Sequence, residues 1–272
     1  MSPFYGQLAR AWERNDSLLC LGLDPQIESF PQALRGVAEP IFEFNRRVID
    51  ATADLVCAYK PQFAHYAACA AETELARTID YIHRQHPHVP VILDAKRGDV
   101  GHTAERYASE AFDRYGADAV TVNPYLGGDA LEPFLRRADK GIVILCRTSN
   151  PGAAELQDLP VGDRKLYQVV AELAAGQWNS RGNCLLVVGA TAPRELADVR
   201  ARVGDMPLLV PGVGAQGGDV AAVVEHGQTP SGTGLLISAS RSVLYGSADF
   251  PGAVRAAAEA LRAQINASRR RG

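Results

Sequence analysis

Two carboxylates and a lysine stand close together in the segment LDAKRGD, which follows an apolar run. Asp94 and Lys96 are two residues apart, so at the end of a strand their side chains should lie on the same side. Asp99 follows three residues later, and Lys60, which ends another apolar run, could reach the same space. Opposite charges favour each other's ionised forms, so each lysine should keep its proton. The pattern predicts either a catalytic cluster of alternating charge or an ordinary ion pair closing the strand ends.

Lysine is scarce in this chain, which has only four, and two of them, Lys60 and Lys96, lie at predicted strand ends. Arginine supplies most of the other positive charge. Because arginine cannot replace a lysine that must give up a proton, this usage favours a role in proton transfer.

A glycine-rich segment, residues 211–219, contains the pattern G-x-G-x-x-G beginning at Gly212 and Gly214. Alone it is a dinucleotide fingerprint, but no clear acidic residue ends a next strand about 20 residues on. Backbone N–H groups in such a loop can instead hold a phosphate, and Arg241 after the last apolar run could bind it bidentately. A tight turn and a surface arginine remain the alternatives.

Other polar residues also follow apolar runs. The hydroxyls and amide of residues 147–152, which include Ser149, could read a polar ring or simply form a Pro-Gly turn. Asp24 could accept hydrogen bonds from a ribose or cap a turn. The six histidines show no metal-ligand spacing, so no metal is predicted.

Eight short apolar runs alternate with stretches that carry apolar residues at three- and four-residue spacing. The runs are residues 18–23, 55–59, 89–95, 119–122, 141–146, 184–188, 207–210 and 235–238, and the helical stretches include 3–15, 40–52, 70–84, 103–115, 166–178 and 193–203. Apolar strands alternating with helices pair in parallel and are covered on both faces. Eight units predict a (β/α)₈ TIM barrel, with an open doubly wound sheet as the alternative. We expect one domain, 1–272, with an extra N-terminal helix.

Composition is that of a soluble globular protein: 272 residues, 47% hydrophobic and 22% charged, with a net charge of -3. This charge predicts no binding to nucleic acid or to an anionic membrane. The charged N-terminus and the lack of a ~20-residue apolar run predict a cytoplasmic protein. Four of the five cysteines lie in apolar segments and should be buried free thiols, whereas the basic end, residues 268–271, should be solvated.

With these motifs in order, the chain resembles the orotidine 5'-phosphate decarboxylase family, in its longer bacterial branch. LDAKRGD is similar to the family's D-x-K-x-x-D signature, which sugar-phosphate decarboxylases of the same superfamily share. The flanking matches make the resemblance more specific, and they are Leu23-Asp24-Pro25, Tyr59-Lys60-Pro61, Ser149-Asn150-Pro151-Gly152, the glycine segment from Pro211 to Gln216, and Ser240-Arg241. One departure is Ser240, where the family pattern leads us to expect glycine.

The resemblance implies a cofactor-free homodimer that converts orotidine 5'-phosphate to uridine 5'-phosphate and CO₂ in pyrimidine biosynthesis. It implies that Lys96 protonates the ring carbon, that Asp94 lies against the departing carboxylate, and that Lys60 and Asp99 complete the charge network. The substrate would be held by Asp24 and Thr103 at the ribose and by Ser149 at the pyrimidine. Gln216 and Arg241 would hold the phosphate. Asp99 and Thr103 would come from the partner subunit. A metal-dependent sugar-phosphate decarboxylase, a nicotinamide-dependent oxidoreductase and a non-catalytic nucleotide-binding protein remain alternatives.

Overall fold

The computed structural model describes residues 2–34, 36–213, 218–245 and 249–270. Within them, one large sheet contains eight parallel strands. Its strands are β1 (Leu19–Leu23), β2 (Ala58–Pro61), β3 (Ile92–Arg97), β4 (Ala119–Val122), β5 (Gly141–Arg147), β6 (Cys184–Val188), β7 (Leu208–Pro211) and β8 (Leu235–Ala239). All eight fall on the predicted apolar runs, with ends shifted by up to three residues.

The sheet closes on itself. The order of hydrogen-bonded strands in the sheet is β2-β1-β8-β7-β6-β5-β4-β3. The two outer strands are then joined by parallel bridges between Tyr59 and Val91 and between Gln62 and Asp94. An open doubly wound sheet has two free edges, so this closure excludes it, and the predicted (β/α)₈ barrel is confirmed.

Helices lie between the successive strands, before β1 and after β8. The α-helices are Pro3–Asn15, Pro40–Thr52, Phe63–Ala67, Glu72–Gln85, Gly101–Ser109, Gly128–Leu135, Ala153–Gln157, Leu166–Leu173, Pro193–Val203, Val220–Gly227, Arg241–Leu244 and Gly252–Ser268. Three of them match the predicted bounds, because a proline at the first turn marks the start of each. Among the described helices, none combines the length and apolar character needed to cross a membrane.

Smaller elements complete the chain. They are the 3₁₀ turns Ile27–Ser29, Gln32–Leu34 and Pro124–Leu126, the π-helical turns Glu110–Arg114 and Ala174–Trp178, and a hairpin of Pro160–Val161 with Arg164–Lys165. The π-helical turns finish two helices that the periodicity predicts as continuous, because a single wider turn leaves apolar spacing nearly unchanged.

The N-terminal helix closes the bottom of the barrel, at the N-terminal ends of the strands. Phe4, Leu8 and Trp12 are buried on one face of this helix. The indole N–H of Trp12 donates to the carbonyl of Leu235 at the start of β8, over 3.0 Å. Gly141 at the start of β5 lies so close to the Phe4 ring that a Cβ there would overlap it. The helix is therefore part of the core.

Arg269 departs from the prediction of a solvated C-terminal end, whereas Arg270 is exposed and Arg271 lies outside the described residues. Arg269 pairs with Asp16 at 2.9 Å and donates through Nε to the carbonyl of Gly232, and its side chain is only 10% exposed. The backbone N–H of Arg270 donates to Gln228. Arg269 is held because its guanidinium contacts both a carboxylate and a carbonyl.

The free thiols follow the prediction. Cys20, Cys57, Cys146 and Cys184 are buried and unpaired, whereas Cys69 is exposed. Burial raises the pKa of Cys20 and Cys146 to about 12, so both remain protonated at neutral pH.

Leu8→Ala should lower the free energy of unfolding by roughly 2–5 kcal/mol, because it leaves a cavity beneath the barrel. Urea denaturation measures the loss. Arg10→Ala, an exposed position on the same helix, is the control and should change stability by about 0.5 kcal/mol or less. Equal losses in the free energy of unfolding of the two variants would show that packing of Leu8 against the strands does not stabilise the core.

Candidate active site

Three of the four predicted charges meet at the C-terminal end of the barrel. Lys60 on β2 places Nζ 2.9 Å from Oδ2 of Asp94 on β3. Lys96, also on β3, places its Nζ 2.7 Å from Oδ1 of the same carboxylate. Asp94 therefore lies between two ammonium groups, in the order predicted from the sequence.

Burial makes this arrangement depend on full charge compensation. Lys60 and Asp94 are 6% and 7% exposed. Burial acts to raise the pKa of Asp94, but the charges of Lys60 and Lys96 outweigh it and hold that pKa below its usual range. Burial likewise acts to lower the pKa of Lys60, yet the charges of Asp94 and Asp24 bring it above the ordinary lysine value. Asp94 and Lys60, two members of the Lys60–Asp94–Lys96 cluster, are thus charged at neutral pH.

The route by which Lys96 reaches Asp94 differs from the prediction. Lys96 has a left-handed backbone, with φ of +47°. The ladder between β3 and β4 shifts register here, because Leu93 pairs with Val120 but Arg97 pairs with Val122. The two side chains converge through a bulge in β3 and not through the regular alternation of a strand, so the predicted proximity is right and its reason is wrong.

Arg97 anchors the bulge. Its guanidinium pairs with Glu110 at 2.8 Å. It also stacks over the rings of Phe63 and Tyr107, with its central carbon 4.4 and 4.7 Å from the two ring centres. These contacts hold the end of β3 against its neighbouring helices, while Lys96 projects into the mouth with 46% of its side chain exposed.

Asp99 and Thr103 lie outside the cluster of their own chain. Asp99 Oδ1 accepts from the adjacent N–H of Val100 at 2.8 Å. Within the described residues, the ion pairs of Lys60 and Lys96 go to Asp94 and none goes to Asp99. Thr103 is exposed in the first turn of the next helix. The structure of one chain therefore leaves the predicted fourth charge apart from the other three.

Asp24 lies at the end of β1, next to Ser240 at the end of β8. A Cβ on Gly22 would lie 2.8 Å from Ser240 Cβ and 3.3 Å from Asp24 Oδ2, so glycine makes room for both. Among the described residues, neither the buried Oδ1 of Asp24 nor the buried Oγ of Ser240 has a hydrogen-bond partner. Because buried polar atoms are nearly always paired, these two point to a polar ligand between β1 and β8.

Ser149 follows β5 and packs against the end of β6. A Cβ on Gly189 would lie 2.7 Å from Ser149 Cβ, so only glycine permits this approach. The loop is held by Gln157, whose side-chain oxygen accepts from Thr148 N–H while its amide donates to Thr148 Oγ1, both at 2.8 Å. The short-range pattern of the sequence did not identify Gln157, because it acts from a helix that follows the loop.

Two of the predicted phosphate-binding groups, Gly212 and Arg241, follow the neighbouring strands β7 and β8. Gly212 follows β7 with φ of +101°, a conformation that favours glycine, and its carbonyl accepts from Gly218 N–H at 3.2 Å. Arg241 is exposed at the start of the short helix after β8. Gly214 and Gln216 lie outside the described residues.

Metal coordination has no evident place in the described part of the chain, where no three His, Cys, Asp or Glu side chains are grouped suitably. The absence of a metal stays a prediction.

The sequence analysis missed Thr121, whose hydroxyl donates to Asp94 Oδ1 at 2.9 Å. Its only signal was a polar residue in the apolar strand AVTV.

Asp94→Asn should destabilise the protein at pH 7 by about 3 kcal/mol, because it leaves the Lys60 ammonium buried with less compensation. The difference in free energy of unfolding between the variant and wild type should shrink toward pH 10. In the variant, the pKa of Lys60 falls below its unfolded value, so stability rises with pH as the lysine loses its proton. In the wild type, the lowered pKa of Asp94 stabilises the fold above the unfolded carboxyl pKa, and this is lost as pH falls through the folded value.

Urea denaturation at several pH values measures both effects. Asp113→Asn removes a surface partner of Arg137 and serves as the control. It should lower the free energy of unfolding only slightly, and its difference from wild type should not shrink at high pH. A deficit in Asp94→Asn that stays constant with pH would contradict the electrostatic reading.

Comparison with known proteins agrees with this geometry. Residues 17–257 match the model of the Orotidine 5'-phosphate decarboxylase / HUMPS family. The chain is 60% identical over 270 residues to the orotidine 5'-phosphate decarboxylase of Cellvibrio japonicus, a match covering 98% of this chain and 99% of that one. It is 58% identical over 268 residues to the orotidine 5'-phosphate decarboxylase of an Azoarcus species, covering 98% and 99%.

The fold is shared with a solved relative. The structure of Leishmania donovani OMP decarboxylase superposes with a TM-score of 0.86 at 42% identity, covering 98% of this chain and 99% of that one. The family model matches residues 17–257, and the two relatives and the solved structure each match 98% of this chain. The chain therefore belongs to the orotidine 5'-phosphate decarboxylase / HUMPS family.

Proposed function

We propose that this protein converts orotidine 5'-phosphate to uridine 5'-phosphate and CO₂, a carboxy-lyase reaction of pyrimidine biosynthesis. The observation that carries the proposal is the Lys60–Asp94–Lys96 cluster at the mouth of the barrel, in a chain of this family. No cofactor is included in the reaction. Chain 1–272 acts as one catalytic domain.

The chemistry follows from the charges. The bond between the pyrimidine ring carbon and its carboxylate breaks, CO₂ leaves, and the electron pair stays on the ring carbon. The Lys96 ammonium stabilises this negative charge and then transfers a proton from Nζ to the carbon, forming a C–H bond. Lys96 is half-exposed in the free protein, so it regains a proton from water after the product leaves.

Asp94 and Lys60 prepare that ammonium. Asp94 binds Lys96 Nζ and lies beside the departing carboxylate, whereas Lys60 keeps Asp94 ionised from its buried side. The charges are in place before the substrate arrives, so little reorganisation is needed as charge develops on the ring.

The remaining groups hold the substrate. Asp24 binds ribose hydroxyls, for which its buried oxygen without a partner among the described residues is suited, and Ser149 contacts the pyrimidine. Arg241 binds the phosphate with Gln216 and the loop of Gly212 and Gly214, since a guanidinium and freed backbone N–H groups both suit this anion. Binding of the phosphate, remote from the reacting carbon, supports positioning of the ring.

A homodimer with shared sites completes the proposal, with Asp99 and Thr103 reaching the partner's cluster. Exposed apolar side chains at the same end of the barrel support it: Val100, next to Asp99, is 55% exposed, and Tyr125 and Leu126, after the neighbouring strand β4, are 74% and 45% exposed. The partners are the nucleotides and a second copy, without nucleic acid or membrane. The four buried free thiols support the cytoplasm as its location.

Purified wild-type protein should consume orotidine 5'-phosphate in an absorbance assay, with or without EDTA. Lys96→Ala should reduce turnover by at least about 1000-fold while retaining affinity for uridine 5'-phosphate, because the ammonium acts mainly where charge develops. Activity lost to EDTA and restored by magnesium would favour the sugar-phosphate reaction class. Near-normal turnover of Lys96→Ala would refute the assigned chemistry.

Mixing two inactive variants tests the shared site. Lys96→Ala and Asp99→Ala homodimers should each be poorly active, but their heterodimer has one site with both lesions and one native site. Random pairing at equal amounts makes about half the dimers mixed, so activity should recover to roughly a quarter of wild type.

Native mass spectrometry first establishes subunit exchange. Lys96→Ala mixed with Asp94→Asn is the matched control, because both residues serve the site of their own chain and every site keeps a lesion. No recovery in the Lys96→Ala and Asp99→Ala mixture, despite exchange, would place Asp99 in its own chain's site.

A further inference from the structure

Thr121 connects the two residues of β3 that the proposed reaction uses. It lies in β4, it is 1% exposed, and its hydroxyl faces the bulge in β3. Thr121 Oγ1 donates to Asp94 Oδ1 at 2.9 Å and accepts from the backbone N–H of Lys96 at 2.8 Å. A hydroxyl has one proton, so these two bonds set its direction.

The Lys96 end of this connection fixes a backbone conformation. Lys96 has φ of +47°, which side-chain-bearing residues seldom adopt, at the point where the β3–β4 ladder shifts register. The bond from Lys96 N–H to Thr121 Oγ1 ties that residue to the neighbouring strand. The direction in which the long, half-exposed Lys96 side chain leaves the backbone therefore depends on Thr121.

The Asp94 end fixes a rotamer. Asp94 Oδ2 accepts a hydrogen bond from Lys60 Nζ, whereas Oδ1 accepts hydrogen bonds from both Lys96 Nζ and Thr121 Oγ1. Three donors on two oxygens hold the carboxylate plane. Thr121 is the uncharged one of the three, so it can orient the carboxylate without changing the net charge of the cluster.

We infer that Thr121 is a positioning residue, whose hydroxyl sets both the Asp94 carboxylate and the Lys96 backbone so that the Lys96 ammonium meets the reacting carbon. The inference rests on the proposed decarboxylation. Because misplacement of a reacting group raises the barrier with little effect on substrate binding, loss of the hydroxyl should lower kcat and not raise KM.

Thr121→Val removes the hydroxyl at nearly constant volume, and Thr121→Ser keeps it. We expect kcat for orotidine 5'-phosphate to fall on the order of 10- to 100-fold in Thr121→Val, with KM and the Kd of uridine 5'-phosphate within about threefold of wild type. Thr121→Ser should stay within about threefold of wild-type kcat, because it retains the hydroxyl. Thr78→Val, at a buried threonine on an outer helix, is the matched control and should leave kcat unchanged.

Circular dichroism melts check folding of each variant. If Thr121→Val does not fold, Thr121→Cys replaces it, since a thiol is a weak hydrogen-bonding group of similar size, and its kcat should fall well below that of Thr121→Ser. Wild-type kcat in Thr121→Val, or equal losses in the valine and serine variants, would overturn the inference. An inactive wild type would instead overturn the proposed function.

Discussion

The carboxylate of Asp94 receives hydrogen bonds from Lys60, Lys96 and Thr121, and the barrel mouth depends on these contacts. A buried carboxylate is costly unless opposite charge and donors surround it, and a buried lysine has the same requirement. Each group therefore lowers the free-energy cost of burying the other. Removing either would leave a charge in a place where water cannot compensate it.

The same constraint explains the irregular end of β3. Lys96 reaches Asp94 only because β3 bulges and Lys96 adopts a left-handed backbone, which costs free energy on its own. Thr121 on one side and the Arg97–Glu110 pair on the other hold that conformation. Strain at this point is thus supported by two neighbouring elements, which leaves the ammonium in a defined position.

The barrel separates stability from chemistry along its axis. At the bottom, the N-terminal helix inserts Phe4, Leu8 and Trp12 against the strand starts and completes the core. At the top, buried polar atoms of Asp24 and Ser240 remain without partners among the described residues. Ser240 in place of the expected glycine is accommodated because Gly22 on the adjacent strand supplies the space. A packed lower half allows the upper half to keep buried polar atoms of this kind.

The sequence by itself determined the barrel, because eight apolar runs alternating with amphipathic stretches have few other ways to bury both sheet faces. It also determined that Lys60, Asp94 and Lys96 would meet, since strand ends gather at one mouth. Only the tertiary structure decided how they meet: the β3 bulge, the Thr121 hydroxyl and the Gln157 brace each depend on contacts between elements distant in the chain, which local periodicity does not encode. For the same reason, the charge pattern alone could not separate Asp99 from the cluster of its own chain, and only the resemblance to the family implied that separation before the strands were placed together.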